Sequence, residues 1–272
     1  MLISRRARLS LRAVALLYLF LLLLLPVAVV FAKTFEHGFS VAWGWMTTPA
    51  AVSALWLTLI IAVIAVPLNT IFGVVGAHVL VRRRGRAAAV LDALIDLPFL
   101  VSPVIVGLAL ILVYGERGWF GTWFANQGIR IIYAPAGMVL ATIFVSLPFV
   151  VREVAPVLVE IGDEQEQAAA TLGASAWQTF WRVTLPSIRW GVAYGVVLST
   201  ARALGEIGAV LVVSSLVAGQ TLTLPLLVFQ RDSQIGAGSV TGAYAAATEL
   251  AVISLFVLLV MTVLSPRRED SR

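Results

Sequence analysis

The chain is far more apolar than a soluble protein of its 272 residues. Hydrophobic residues make up 60% of it and charged residues only 12%, against about 25% charged residues in soluble domains, and its mean hydropathy is +0.99. There is no cysteine, which excludes disulfides, thiolate metal sites and a cysteine nucleophile.

The apolar residues fall into six long runs. A helix needs ~20 such residues to cross a ~30 Å hydrocarbon core, and the runs do not alternate as the strands of a membrane barrel do. The first run resembles a signal peptide, but it is about 20 residues long and no clear small-x-small cleavage site follows, so we interpret it as a retained span. The pattern predicts an all-α membrane protein with six transmembrane helices, at about 12–32, 52–81, 88–114, 134–158, 190–213 and 243–264.

The basic residues predict the orientation of these spans. Thirteen of the 19 Lys and Arg residues lie before span one, between spans two and three, between spans four and five, or after span six. Lysine and arginine accumulate on the cytoplasmic side of membrane proteins, so both termini are expected in the cytoplasm. The net charge of +5 then reflects topology and the anionic lipid surface, and we expect no nucleic acid partner.

Four tryptophans lie in the loops that this orientation places outside the membrane. Trp43 and Trp45 follow span one, and Trp119 and Trp123 follow span three. Indole rings favour the membrane–water interface. We therefore interpret all four as interfacial anchors.

The sequence offers no catalytic or metal-binding constellation. The phosphate-binding pattern G-x-x-x-x-G-K-[ST] is absent, so any ATP must be bound by another polypeptide. His37 and His78 are isolated and have no plausible set of metal-ligand partners. We expect a protein that is not an enzyme and that holds neither a cofactor nor a metal.

A polar segment between spans four and five predicts a short helix. Asp163 is a favourable N-cap, and Glu164 and Glu166 in the first turn suit the helix dipole. Residues 168–172 are good helix formers, and Gly173 would end the helix as a glycine at C′ does. On these grounds the helix is either a docking element or a structured connector.

The same segment resembles the EAA loop of ABC importer permeases, whose motif is Glu-Ala-Ala, three residues, Gly, nine residues, then Ile-x-Leu-Pro. Here Gln167 replaces the leading Glu and Val183 replaces Ile, while the spacing is kept. Glu164 or Glu166 is available for any ion pair that the family glutamate makes. The resemblance implies an ATPase-coupling loop at 159–189. Its coupling residues are Glu164, Glu166, Gln167, Ala168, Ala169, Gly173, Leu185 and Pro186.

Three further stretches, 147–153, 201–210 and 220–226, are similar to the sulfate/thiosulfate permeases, and more loosely to the molybdate permeases. The likeness extends from about residue 56 to 263 and is nearest to the W-type sulfate subunit. It implies a type I ABC importer transmembrane domain at 51–264. Residues 1–50 would hold the N-terminus, the first span and an external loop, and 265–272 a cytoplasmic tail.

The resemblance also implies an assembly in the bacterial cytoplasmic (inner) membrane. Its expected partners are two cytoplasmic ATP-binding subunits, a T-type permease forming a heterodimer with this chain, an extracytoplasmic sulfate-binding protein and membrane lipid. The expected activity is ATP-driven import of sulfate or thiosulfate. A molybdate or tungstate permease, an ion-coupled secondary transporter and a membrane enzyme remain as alternatives.

Two ionisable residues lie within predicted span five. Arg202 and Glu206 are four residues apart, so they share one helical face and can pair. Because isolated charges in hydrocarbon are costly, we interpret them first as a structural ion pair. Two other readings stay open: Arg202 provides positive potential along an anion path, or the pair serves a gate or a subunit interface. In span four, Arg152 is expected to reach water at the inner interface.

Overall fold

The computed structural model describes residues 5–83, 85–234 and 236–264. The predicted tail 265–272 and the basic residue Arg84 lie outside these ranges. The described residues form helices and no strand, which confirms the all-α prediction. The α-helices are α1 Arg5–Leu19, α2 Leu25–Phe35, α3 Phe39–Met46, α4 Pro49–Arg82, α5 Arg86–Leu100, α6 Pro103–Tyr114, α7 Gly121–Asn126, α8 Pro135–Ile161, α9 Glu164–Thr171, α10 Ala176–Thr179, α11 Leu185–Ser187, α12 Arg189–Leu204, α13 Gly208–Val213, α14 Leu224–Asp232 and α15 Ala237–Leu264. Two π-helical segments join α1 to α2 and α10 to α11, at Phe20–Leu24 and Phe180–Thr184.

Four helical stretches of the described chain are long and apolar enough to cross a membrane. They are Val14–Phe35, Pro49–Arg82, Pro135–Ile161 and Gly238–Val263. A fifth crossing results if the bent pair α5 and α6 is taken as one span. The polytopic character is therefore confirmed, whereas six spans are not.

The predicted third span is broken. Helices α5 and α6 meet at an angle of 112°, and the two residues between them are not helical: Val101 is extended and Ser102 has φ −58° and ψ 136°. Pro103 is the first residue of α6. Proline has no N–H to continue the preceding helix and disfavours helical conformation in the residue before it. The prediction of one continuous helix over 88–114 is wrong for this reason.

The predicted fifth span is broken as well. Helix α12 ends at Leu204 and α13 begins at Gly208, so the prediction of one helix over 190–213 is also wrong. Between them, Glu206 Oε1 accepts a hydrogen bond of 2.8 Å from the Ala209 amide. The Ala209 amide lies in the first turn of α13 and therefore has no carbonyl of a preceding helical turn to bind. The Glu206 side chain accepts its hydrogen bond instead.

The two broken spans pack against each other through glycines. A Cβ at Gly208 would lie 2.9 Å from Pro103 Cβ, and one at Gly107 would lie 2.6 Å from Val212 Cβ and 2.8 Å from Ala209 O. Small residues permit such close helix approach in membranes. Helices α6 and α13 consequently pack closely against each other, next to the two points where the helices are interrupted.

The centre of the bundle is the α4–α8 contact, on which α12 packs. Gly73 faces Val150 so closely that a Cβ would lie 2.6 Å from Val150 Cβ. In the same contact Asn69 Nδ2 donates a buried hydrogen bond of 2.8 Å to Ser146 Oγ. Gly195 brings α12 onto the Val150 backbone, 2.9 Å from its Cα for an added Cβ. These three helices form the frame that positions both ends of the bundle.

The N-terminal span meets the bundle mainly at one end, through α15. Thr34 and Thr248 share a buried hydroxyl–hydroxyl hydrogen bond of 2.7 Å. The Trp45 indole packs on Gly242, where a Cβ would lie 2.9 Å from the ring, and the Arg231 guanidinium lies 5.1 Å from the ring centroid. Trp45 is thus partly buried and packs between helices. Trp43 is exposed.

The α6–α13 crossing generates a stability prediction. Replacing Gly107 by alanine forces a methyl group against Val212 and the Ala209 carbonyl, and overpacking of this kind costs about 1–3 kcal/mol. Thermal unfolding of the purified protein in detergent should show a lowered midpoint. The matched control is Gly44→Ala, since nothing lies within 4 Å of a Cβ there; an equal midpoint shift in both variants would contradict the packing.

Candidate coupling segment and intramembrane charges

Helix α9 begins where the sequence predicts. Asp163 occupies the N-cap position, but its side chain accepts no hydrogen bond from the helix. The predicted capping by this carboxylate is therefore wrong in detail. Glu164 and Glu166 lie in the first turn, where the positive end of the helix dipole stabilises negative charge.

The helix ends at a glycine, as predicted. Gly173 has a φ of +83°, a backbone conformation that residues other than glycine rarely adopt. Its amide binds the Ala170 carbonyl at 3.0 Å, and the Ala174 amide binds the Ala169 carbonyl at 3.0 Å. This pair of bonds is a Schellman motif, which turns the chain sharply out of α9.

Glu166 attaches α9 to the rest of the bundle. Its Oε2 accepts a hydrogen bond of 3.1 Å from Arg82 Nε, at the end of α4. Its Oε1 accepts one of 2.8 Å from Thr184 Oγ1. Arg82 also donates from Nη2 to the Gly162 carbonyl at 2.6 Å. Both side chains of the ion pair are only 19% exposed, so the short helix is held firmly to α4 and to the segment that leads into α12.

The predicted coupling residues divide into an exposed and an anchored group. Leu185 is half-buried and packs into the core cluster around α8, and Glu166 makes the contacts just described. Ala169 is intermediate in exposure. The remaining predicted residues are exposed: Glu164, Gln167, Ala168, Gly173 and Pro186.

Sequence reasoning missed three large apolar side chains on the same surface. Leu172 is 88% exposed and Trp177 69% exposed. Trp181 is exposed too, and its ring meets that of Trp177 edge-on at 5.4 Å. Exposed clusters of large apolar side chains mark interaction sites, and tryptophan is enriched among residues that dominate binding energy. The signal in the sequence was two tryptophans four residues apart in a loop predicted to be polar.

Arg202 and Glu206 form the predicted pair, although α12 ends between them, at Leu204. Arg202 Nη1 lies 2.6 Å from Glu206 Oε2, in an ion pair whose geometry is not that of a hydrogen bond. Glu206 is 3% exposed, whereas the Arg202 side chain is 30% exposed. The carboxylate is therefore the desolvated member, and Arg202 and the Ala209 amide together balance its charge.

A second charged cluster joins spans three and four, and Asp92 and Asp96 were not among the predicted site residues. Arg152 Nε donates to Asp96 Oδ1 at 2.9 Å, and Nη2 donates to Asp92 Oδ1 at 2.6 Å. Arg152 is thus engaged with two carboxylates and does not merely extend toward water. The sequence carried a signal, because two acids four residues apart in a span share one face and require a nearby cation.

Comparison with known proteins identifies the class of this protein. Residues 69–270 match the family described as binding-protein-dependent transport system inner membrane component. The chain belongs to this family and is a multi-pass inner membrane component of a transport system.

Named relatives extend over almost the whole chain. It is 49% identical over 255 residues to the sulfate transport system permease protein CysW of Synechocystis sp., covering 94% of this chain and 91% of that protein. It is 42% identical over 249 residues to CysW of Escherichia coli strain K12, covering 92% and 84%. Identity to the sulfate transport system permease protein CysT of Synechocystis sp. is 39% over 253 residues, covering 92% and 87%.

Solved structures share the fold. A chain from the crystal structure of a bacterial ABC transporter that imports alginate superposes with a TM-score of 0.79, covering 98% of both chains at 17% identity. A second, from the alginate transporter in complex with alginate pentasaccharide-bound periplasmic protein, gives 0.78 and covers 96% and 94% at 17% identity. The fold of this chain is that of an ABC importer membrane subunit.

The attachment of α9 can be tested by removing the Glu166 charge. Glu166→Gln weakens two contacts to partly buried groups, and hydrogen bonds to charged groups are worth about 1.5–3 kcal/mol. Amide hydrogen exchange in 164–171 should accelerate about tenfold or more, with other helices unaffected. Glu164→Gln is the control, because Glu164 is exposed; faster exchange in the control alone would contradict the attachment.

The Arg202–Glu206 pair gives an asymmetric prediction. Arg202→Gln leaves a nearly fully buried carboxylate without its counter-charge, at a cost of about 3 kcal/mol. Glu206→Gln keeps an oxygen that can accept the Ala209 amide. It leaves the charge of Arg202, which is partly exposed to water, so the loss of stability should be smaller than for Arg202→Gln. The double variant should recover most of the unfolding midpoint. If the double variant is stable but transports no better than Arg202→Gln, Arg202 serves the transport path and not only structure.

Proposed function

We propose that this chain is a permease subunit of an ATP-driven ABC importer that carries sulfate or thiosulfate across the bacterial cytoplasmic membrane. The observation that carries the proposal is the 49% identity to a sulfate transport system permease over nearly the full length of both chains. The exposed surface of the EAA-like segment supports a subunit driven by an external ATPase. The same likeness to sulfate permeases favours sulfate over molybdate or tungstate.

The coupling mechanism follows from the division of the segment into two parts. The exposed Leu172, Trp177 and Gln167 would lie against the ATPase subunit, while Glu166 links α9 to α4 and to the entry of α12. A displacement of α9 by ATPase closure would therefore reach two helices of the frame through Arg82 and Thr184. ATP binding shifts the conformational equilibrium only because the closed ATPase binds one state better.

The orientation of the permease follows from the basic residues. We propose that the α9 end of the bundle lies in the cytoplasm together with both termini, because cytoplasmic loops are enriched in lysine and arginine. The broken pair α12 and α13 would then supply the remaining crossing and complete six passages. The units 1–50, 51–264 and 265–272 and the loop 159–189 keep their proposed roles within this topology.

The partners follow from the family and its named members. The match to binding-protein-dependent components supports an extracytoplasmic sulfate-binding protein, and the CysT likeness supports a T-type permease as the second subunit of a heterodimer. Two cytoplasmic ATP-binding subunits and membrane lipid complete the proposed assembly.

The anion path is proposed at the crossing of the two broken spans. Irregular backbone at membrane depth is tolerated where it is buried in protein or lines a cavity, and discontinuous helices supply substrate sites in other transporters. Arg202 lies beside the break between α12 and α13 and is partly exposed. We therefore assign Arg202 to the anion path. Its structural pairing with Glu206 holds it in place.

The coupling role is tested by Gly173→Arg. This change inserts a long cation at the turn that ends α9 and should abolish association with the ATPase while membrane insertion persists. Leu172→Asp should weaken association without straining the backbone. Both are measured by co-purification of the ATPase and by uptake of labelled sulfate in cells that lack the native chain.

The matched control is Gly38→Arg. Gly38 also has a positive φ, of +97°, and open space around it, but it lies near the other end of the bundle. It should leave ATPase association intact. Sulfate uptake that survives Gly173→Arg at normal protein levels refutes the ABC importer. Competition of sulfate uptake by molybdate but not by thiosulfate would move the substrate to the molybdate class.

A further inference from the structure

A small polar cavity lies beside the break between α12 and α13. Its volume is about 10 Å³, close to the ~10–15 Å³ that is needed to hold one water molecule. Four parts of the bundle meet around it: α4, α8, the break itself and the first residues of α14. The polar side chains that line it are those of Thr58, Thr142, Glu206 and Thr223.

All four of these polar side chains are buried inside the bundle. Glu206 is 3% exposed, Thr223 and Thr58 are 4% exposed, and Thr142 is 1% exposed. Burying a polar group is unfavourable unless it forms a hydrogen bond, and the large majority of buried polar atoms in proteins have a partner. The hydrogen bonds of each of the four side chains therefore have to be accounted for.

Two of the four carry an oxygen that makes no hydrogen bond. Thr223 Oγ1 and Glu206 Oε2 are both buried, and neither has a hydrogen-bond partner in the part of the chain that the structure describes. Arg202 Nη1 lies 2.6 Å from Glu206 Oε2 and balances its charge, but it leaves the oxygen free to accept a hydrogen bond. Since both residues line the same cavity, one ligand can serve both oxygens.

The other two hydroxyl groups can complete the site. Thr58 Oγ1 donates to a carbonyl one turn earlier in α4 and accepts a hydrogen bond of 2.8 Å from the Leu224 amide. Thr142 Oγ1 donates to a carbonyl one turn earlier in α8. A hydroxyl oxygen can accept two hydrogen bonds, so both side chains retain the capacity to accept one more.

The charges and the size of the cavity select a small neutral ligand. Arg202 and Glu206 already neutralise each other, so a bound cation would add an uncompensated charge within the membrane, where charges are costly. A bound anion would lie against the Glu206 carboxylate. Water is neutral, has one non-hydrogen atom, and both donates and accepts, and buried waters typically make about three hydrogen bonds to groups that otherwise lack a partner.

We propose that this cavity is a binding site for one water molecule, which donates to Glu206 Oε2 and accepts a hydrogen bond from the Thr223 hydroxyl. The second hydrogen of the water is donated to a threonine oxygen of α4 or α8. Because the Ala209 amide binds Oε1, each oxygen of the Glu206 carboxylate then has a neutral donor in addition to the charge of Arg202.

The water also connects the interrupted span to the next helix. Thr223 is the N-cap residue of α14, and the Leu224 amide is already bound by Thr58 of α4. A movement of Glu206 would therefore be transmitted through the water to the start of α14. The site depends neither on the proposed function nor on the anion that is carried.

The first test locates the water in a cryo-electron microscopy map of the purified complex in lipid nanodiscs. At a resolution that shows ordered waters, the wild type should contain a peak within about 3.2 Å of both Glu206 Oε2 and Thr223 Oγ1. The peak should persist in Thr223→Ser, which keeps the hydroxyl. It should be lost in Thr223→Val, which keeps the shape of the side chain but not the hydroxyl.

The second test detects the water by X-ray footprinting. X-ray pulses form hydroxyl radicals from water in place, so buried side chains that touch a bound water are oxidised. Leu204 lines the cavity and is 1% exposed, whereas Leu158 is 0% exposed and packs in the apolar cluster around α8. Leu204 should be oxidised several-fold faster than Leu158 in the wild type, and this difference should disappear in Thr223→Val.

Thermal unfolding provides a matched control. Thr223→Val should lower the unfolding midpoint by about 2–4 °C, the shift expected when one hydrogen-bonding contact is lost in a chain of this size. Thr200→Val should remain near the wild type, because Thr200 is equally buried but lies outside the cavity and its hydroxyl binds the Val196 carbonyl of its own helix. The wild-type map and oxidation rates decide the proposal even where Thr223→Val does not fold.

Several results would overturn the water site. A wild-type map without a peak between Glu206 and Thr223, or equal oxidation of Leu204 and Leu158, would show that no water binds there. A peak that persists in Thr223→Val, or an equal midpoint shift in Thr200→Val, would remove the role of the Thr223 hydroxyl. An unfolding midpoint that rises with sodium concentration in the wild type but not in Thr223→Val would make the cavity a cation site.

Discussion

Backbone amides and carbonyls inside a bilayer have no water to bind, and each must find a partner within the protein. The two interrupted spans of this protein, α5–α6 and α12–α13, contact each other where this requirement arises. Pro103 begins α6 and has no N–H that would need an acceptor. Glu206 accepts a hydrogen bond from the Ala209 amide, and Gly208 lets α13 pack onto Pro103. The two breaks therefore pack on each other where Gly208 meets Pro103, and the Ala209 amide at the start of α13 has a side-chain partner.

The same crossing connects the two ends of the bundle. At one end Glu166 attaches α9 to Arg82 and Thr184. Helix α12 begins shortly after Thr184, at Arg189. At the other end the Tyr133 amide binds Val213 of α13. The Arg202–Glu206 pair bridges α12 and the break before α13. These contacts lie along the path from the proposed ATPase surface, through α12 and α13, to the loop that contains Tyr133 at the opposite end.

Two groups of charges in the described spans are arranged so that the cost of burial is limited, whereas Glu249 in α15 has a buried carboxylate oxygen without a hydrogen-bond partner among the described residues. Glu206 has a cation and a backbone donor, and Arg152 has two carboxylates. The clusters differ in what they join: Arg202 and Glu206 stabilise a break within one passage, whereas Arg152 ties α5 to α8. The Arg152 cluster carries a net charge of −1, so it is poorly suited to hold an anion and is best understood as a structural link.

Local physical signals in the sequence determined the apolar spans, the bounds of α9, its end at Gly173 and the family motif, because each depends on neighbouring residues alone. The break at Pro103 was also readable, since proline acts on the residue before it. The break at Glu206 was not, because a glutamate side chain replaces a helix bond only when packing holds it there. The Arg82–Glu166 tie joins residues 84 positions apart, and Trp45 reaches its packing site only when α3 meets α15. These pairings arise from which helix faces come together, and only the tertiary structure decides that.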